Sequence, residues 1–140
     1  MSNGQGQNRR ILVTGANGRI GSMLVPALTR AGYQVTALDR LPAPAAEAGV
    51  RHVTGDITDT ALMTNLVQEQ DALVHLAAHP TALDWADIYG PNIVGAATVI
   101  EAAAAAGISR LIVASSIHIA GHTPAIARFD ATLPIRPDSP

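Results

Sequence analysis

The stretch Val13-Thr14-Gly15-Ala16-Asn17-Gly18-Arg19-Ile20-Gly21 constrains this chain more than any other. Ile11-Leu12-Val13 is an apolar run that leads into three glycines spaced three apart, and a helical pattern follows. Strand, glycine turn, helix is the layout that sets a helix N-terminus against a phosphate. The first glycine permits a tight turn and the second lets the backbone approach a pyrophosphate. The third removes a side chain from between helix and strand. Glycines at 15, 18 and 21 alone would also fit an ordinary turn. The strand in front and the acid behind decide between the two. Asp39 ends the next apolar run, Gln34-Val35-Thr36-Ala37-Leu38, close to the ~20-residue offset of a carboxylate that binds a ribose diol.

Composition bounds the rest. The 140 residues suit one domain, and 48% of them are hydrophobic, which excludes a wholly disordered chain. Net charge is −2 without a block of like charges, so nothing calls for nucleic acid or an anionic membrane surface. There is no cysteine and hence no disulfide or thiolate chemistry. No apolar run reaches the ~18 residues of a membrane span. Residues 1–8 are polar and lack the apolar stretch of a signal peptide. The expectation is a disordered tail over 1–8, a domain over 9–140, and a cytoplasmic setting. All nine basic residues are arginine; there is no lysine, and the only tyrosines are Tyr33 and Tyr89.

In chain order, the pattern predicts a first strand over 10–14 and a helix over 19–31, with Ile20, Leu24, Leu28 and Ala31 on its inner face and Gly32 closing it. Pro26 costs that helix a hydrogen bond, but a crossover is needed there. A second strand is expected over 34–39, a short helical turn over 45–48, and a third strand over 50–53. A helix capped by Asp59 follows over 60–68. Ala72 to Leu76 reads as the fourth strand and 81–91 as a connection, with Trp85 and Tyr89 packed beneath it. A long helix is expected over 92–106, with Ile93, Ala97, Ile100 and Ala104 inward and Gly107 stopping it. Residues 111–114 read as the fifth strand and 122–140 as loop.

Five apolar strands alternating with helical patterns predict an α/β fold, a doubly wound parallel sheet. The expected strand order is 3-2-1-4-5, with ligands over the strand C-termini where the order reverses between strands 1 and 4. Asp39, Asp56, residues 75–78, Ser115 and Ser116 are expected to face that crevice.

Thr-Gly-x-x-Gly-x-x-Gly at 14–21, Gly55-Asp56 before a helix, His75-Leu76-Ala77-Ala78, Asn92-Ile93-x-Gly95 and Ser115-Ser116-x-x-x-x-Gly121 occur in this order. In them the chain resembles the N-terminal half of an extended short-chain dehydrogenase/reductase, the NAD-dependent epimerase/dehydratase family with its Rossmann domain. The resemblance implies roles. Gly15, Asn17, Gly18, Arg19, Ile20 and Gly21 would cradle the pyrophosphate. Asp39, with Arg40 beside it, would hold the adenosine ribose, and Asp56 and Ile57 would line the adenine pocket. Leu76, Ala77 and Ala78 would pass beside the nicotinamide ribose. Asn92 and Ser115 would support the site. Ser116 would be the catalytic serine, and His79, Thr81 and His118 would meet a sugar-like substrate. Asp39 favours NAD, because a carboxylate repels a 2′-phosphate; Arg40 keeps NADP open. Ser116-Ile117-His118 is similar to the serine-x-histidine of uronate dehydrogenase-like members, which implies sugar-acid oxidation. A sugar epimerase or reductase stays open. The resemblance further implies a homodimer for a full-length protein.

One departure matters. The family's acid/base is a tyrosine with a lysine four residues on, the lysine lowering the tyrosine pKa. Neither follows Ser116. The sequence stops after Pro134-Ile135-Arg136-Pro137-Asp138-Ser139-Pro140, where that motif is expected, so the reading is a truncated chain able to bind cofactor and unable to turn over. The rival reading is a non-catalytic dinucleotide-binding sensor or scaffold. No metal is expected: His75 and His79 straddle a strand end with no third ligand. Ser116, His118 and Asp130 lack the nucleophile elbow of a hydrolase.

Overall fold

The computed structural model describes residues 9–43, 45–46, 48–80, 84–116, 119 and 135. The expected tail at 1–8 therefore lies outside the described residues, as do Thr81, His118 and nearly all of 120–140.

The strands are β1 (Arg10–Thr14), β2 (Gln34–Asp39), β3 (Val50–Thr54), β4 (Ala72–His75) and β5 (Leu111–Val113). They form one sheet in the order β3-β2-β1-β4-β5, every pairing parallel. The sheet and its order are those expected from the alternating pattern. β1 is apolar on both faces because both are covered. Leu12 packs with Leu38, Leu73, Met63 and Val99 on one side. Ile11 and Val13 pack with Val25, Val35 and Val74 on the other.

Helix α1 spans Gly21–Arg30, two residues shorter at its start than expected. Its inner face is Gly21 and Val25 with Leu24 and Leu28 at the margin, while Ile20 and Ala31 are exposed. The helix begins at Gly21, so Ile20 precedes the first full turn and points to solvent. Pro26 is accommodated inside it. Helix α2 spans Thr60–Val67 and is capped as expected: the Asp59 carboxylate accepts from Leu62 N–H at 3.0 Å. The described residues between β2 and β3 carry no helical turn.

The segment after β4 differs most. The short helix α3 (Trp85–Ile88) runs into a π-helical turn, Tyr89–Gly95, and then α4 (Ala96–Ala105). Pro91 has no N–H to give to the preceding turn, and a widened turn is one way a helix accommodates that loss. The buried face of α4 is Thr98, Val99, Ala102 and Ala103. Ile93, Ala97, Ile100 and Ala104, expected inward, are exposed. Trp85 and Tyr89 are not packed beneath a connection: 56% and 47% exposed, they lie against each other with ring centroids 5.6 Å apart.

Candidate functional site

The site is built where β1, β2, β3 and β4 end. β1 runs into Gly15, whose φ of +70° is left-handed backbone that a side chain disfavours. A Cβ at Gly15 would lie 2.6 Å from Ala77 N and 2.8 Å from Leu76 C, so the turn passes directly against the backbone leaving β4. At Gly21 a Cβ would run into Gly15 O and lie 2.6 Å from Ala16 O. The third glycine thus lets α1 start beneath the turn. Gly18 differs. A Cβ there would meet only Gly15 O, at 3.1 Å, and its other side is open. That is the geometry a pyrophosphate needs to come close to backbone.

Two further bonds lock the turn to its neighbours. Ala16 N–H donates to Leu38 O (3.2 Å), and Leu76 N–H donates to Thr14 O (3.1 Å). The Thr14 hydroxyl accepts from Ala77 N–H at 3.4 Å and lies 2.7 Å from Nδ1 of buried His75. The hydroxyl and the ring thus share a buried hydrogen bond whose donor is set by the tautomer of the imidazole. Burial holds the ring below its ordinary pKa. His75 is thus a buried, bonded strand-end residue and, unlike residues 76–78, is not part of the crevice wall it was expected to face.

Asp39 ends β2 facing the turn. Asn17 N–H donates to its Oδ2 (2.9 Å) and Leu41 N–H to its Oδ1 (3.0 Å). Asp56, after β3, accepts from both Thr58 N–H and Thr58 Oγ1 at 2.9 Å. The Thr58 amide, helped by its hydroxyl and by the nearby Arg40 guanidinium, holds the Asp56 carboxyl below the usual range against the opposing effect of burial.

These strand ends enclose one crevice. Its wall holds ten of the residues expected to meet a cofactor: Gly15, Asn17, Gly18, Asp39, Arg40, Asp56, Ile57, Leu76, Ala77 and Ala78. It also holds Leu38, Leu41, Gly55 and Pro91, which received no cofactor role from the sequence. Gly55 follows β3 as the expected site residues follow their strands, so the strand-end rule was the signal for it. Pro91 reaches the wall through the π-helical turn, which no periodicity announced.

The remaining expected residues lie elsewhere. Arg19 and Ile20 are exposed at the start of α1, and Gly21 is buried beneath the turn. Ser115 and Ser116 are exposed beyond β5. Asn92 lies within the π-helical turn: its Oδ1 accepts from His79 N–H (2.7 Å) and its Nδ2 donates to His79 O (3.2 Å). It pins the chain leaving β4 to the π-helical turn. Gly95, in the same turn, lies so close to Ile57 that a Cβ would sit 2.6 Å from Ile57 Cγ1. Among the described residues no cluster of His, Asp or Glu suits a metal ion. None of their helices is long and apolar enough to cross a membrane.

Comparison with known proteins gives the same picture. Residues 11–140 match the model of the NAD dependent epimerase/dehydratase family. Uronate dehydrogenase of Pseudomonas putida is 39% identical over 131 residues, covering 93% of this chain and 49% of the relative. dTDP-glucose 4,6-dehydratase of Mycolicibacterium smegmatis is 37% identical over 94% of this chain and 44% of its own length. A mutant uronate dehydrogenase from Agrobacterium tumefaciens, solved in complex with NAD, superposes with a TM-score of 0.84 at 31% identity, over 94% of this chain and 49% of that one. The chain therefore spans about half the length of the relatives it matches. By its strand order, its glycine turn and the match over residues 11–140, the chain belongs to the NAD-dependent epimerase/dehydratase family.

Proposed function

We propose that this chain holds NAD across the crevice and forms the cofactor-binding part of an oxidoreductase or epimerase that acts on a sugar or sugar-acid by hydride transfer. The observation that carries the reading is Asp39, fixed at the end of β2 in the same wall as Gly15 and Gly18. An ionised carboxylate has four lone-pair sites, and the two backbone N–H groups use two of them. The others remain for the two hydroxyls of a ribose. Gly15, Asn17, Gly18, Arg19 and Ile20 take the pyrophosphate at the start of α1, where backbone N–H groups and the helix dipole favour an anion, and Gly21 lets the helix begin beneath them. Asp56 and Ile57 line the adenine end, and Leu76, Ala77 and Ala78 the nicotinamide ribose. Asn92 keeps the backbone of His79 in place beside them. When bound, the cofactor supplies a carbon that accepts or gives hydride; the protein supplies position. Ser116 donates a hydrogen bond to the substrate oxygen, and His79, Thr81 and His118 are assigned to substrate binding. The whole protein works as a homodimer.

The 140 residues hold no lysine and no tyrosine after Ser116. We therefore assign them cofactor binding without turnover. A second reading of the same crevice is a non-catalytic module that senses or scaffolds the nicotinamide pool. Calorimetric titration tests the shared claim. NAD+ is expected to bind more tightly than NADP+, and Asp39→Ala to erode that preference. Equal affinities in the intact chain would remove the case for Asp39 as the ribose ligand. Reduction of NAD+ by the chain with a sugar acid would overturn the assignment of no turnover.

A further inference from the structure

Asn17 joins two elements that are far apart in sequence. It sits in the glycine turn, yet its hydrogen bonds go to the last residue of β2 and to the segment that follows it. Its N–H donates to Asp39 Oδ2 (2.9 Å), and its side-chain Nδ2 donates to Leu41 O (2.8 Å) and to Pro42 O (3.2 Å). An amide nitrogen carries two protons, so both are used. Leu41 N–H returns to Asp39 Oδ1 at 3.0 Å. The result is a closed loop of four hydrogen bonds through Asn17, Asp39, Leu41 and Pro42. It fixes the carboxylate on both oxygens and holds the chain at 40–42 in its turn. Asn17, Asp39, Arg40 and Leu41 all line the crevice.

We propose that Asn17 is a positioning residue that sets the choice between a ribose 2′-hydroxyl and a ribose 2′-phosphate at Asp39. This rests on the reading of Asp39 as the ribose ligand. A 2′-phosphate brings a bulky, nearly doubly charged group to the place where the carboxylate stands. To admit it, Asp39 must swing aside or residues 40–42 must move outward, and either motion breaks bonds that Asn17 makes. Arg40 is the residue that would then serve the phosphate, because a guanidinium matches phosphate oxygens. While the segment is held, the Arg40 charge acts on Asp56 instead. The side-chain amide of Asn17 donates to backbone carbonyls and not to either charged group. It keeps the cation directed toward Asp56 and the anion in place.

The test is calorimetric titration of NAD+ and NADP+ into the wild-type chain, Asn17→Ala and Asn17→Gln, with melting temperatures recorded alongside. The expected result is a fall of at least fivefold in the ratio of the NADP+ to the NAD+ dissociation constant for Asn17→Ala. Partial recovery is expected in Asn17→Gln, which keeps the amide. Should Asn17→Ala fail to fold, Asn17→Ser carries the same expectation, since a hydroxyl cannot donate to both carbonyls. An unchanged ratio overturns the proposal, whether affinity is retained or both nucleotides weaken equally. That outcome leaves the ribose role of Asp39 standing if the wild type still prefers NAD+. A wild type that binds the two equally defeats the ribose reading itself.

Discussion

Single residues carry the distinction between folding and binding here. Gly15 and Gly18 look alike in sequence and differ in space. Gly15 is at positive φ and against the backbone of Ala77, so Gly15→Ala is expected to destabilise the fold by about 1–3 kcal/mol from the left-handed backbone alone. Gly18 has no such constraint and one tight neighbour, so Gly18→Ala is expected to melt within a few degrees of wild type and to weaken NAD+ at least tenfold. Denaturant midpoints and calorimetry on the two variants check this. His75 makes a second residue-scale prediction. Its folded pKa lies below the ordinary value of 6.5 because the ring is buried. The unfolded chain therefore takes up a proton first as pH falls, and the stability contributed above 6.5 is lost on descending toward the folded pKa. The wild type should lose more melting temperature between pH 8 and pH 5.5 than His75→Gln does. Equal losses would mean that the ring is as accessible to protons folded as unfolded.

At the scale of elements, what was legible depended on whether apolar and polar residues alternate clearly. Four of the five strands are short, mainly apolar runs bounded by turn residues, while β3 is the mixed run Val-Arg-His-Val-Thr; all five fall where the pattern set them, within a residue or so at their ends. The cap of α2 was legible because Asp59 is the residue type that accepts from a helix's orphan N–H groups. The face of α4 was not. Ala96–Ala105 is apolar nearly all round, so hydrophobicity alone assigns no inner side. The one charge, Glu101, held the signal: Ala97 and Ala104 lie four before and three after it, on the exposed side with it. The π-helical turn was invisible because a change of helical pitch leaves no apolar period. Its consequence is testable. Asn92 makes both side-chain bonds to the His79 backbone, so Asn92→Ala should cost about 1–3 kcal/mol. It should also raise amide exchange at His79 while leaving Gly15–Gly18 protected. Unchanged exchange at His79 would show that the two bonds do not hold that segment.

For the whole molecule, the parallel sheet fixes where chemistry can occur. All five strands point one way, so the loops after β1, β2, β3 and β4 converge at one end, and the order reverses beside β1. That is why ten expected cofactor residues from four separate segments share one wall. The part less legible lies beyond β5, where Ser115 and Ser116 follow the strand without joining that wall. They were expected at the crevice as strand-end residues, and the residues after β1 to β4 meet that expectation while those after β5 do not join the wall. The central claim is that a dinucleotide lies across the ends of β1 to β4. Amide chemical shifts of the labelled chain, followed as NAD+ is added, test it most directly. The account predicts saturable shifts at Gly15, Asn17, Gly18, Asp39, Ile57, Ala77 and Ala78, with Gly49, Gln70 and Arg110 at the opposite end unmoved. Shifts confined to that opposite end, or none at saturating NAD+, would contradict it.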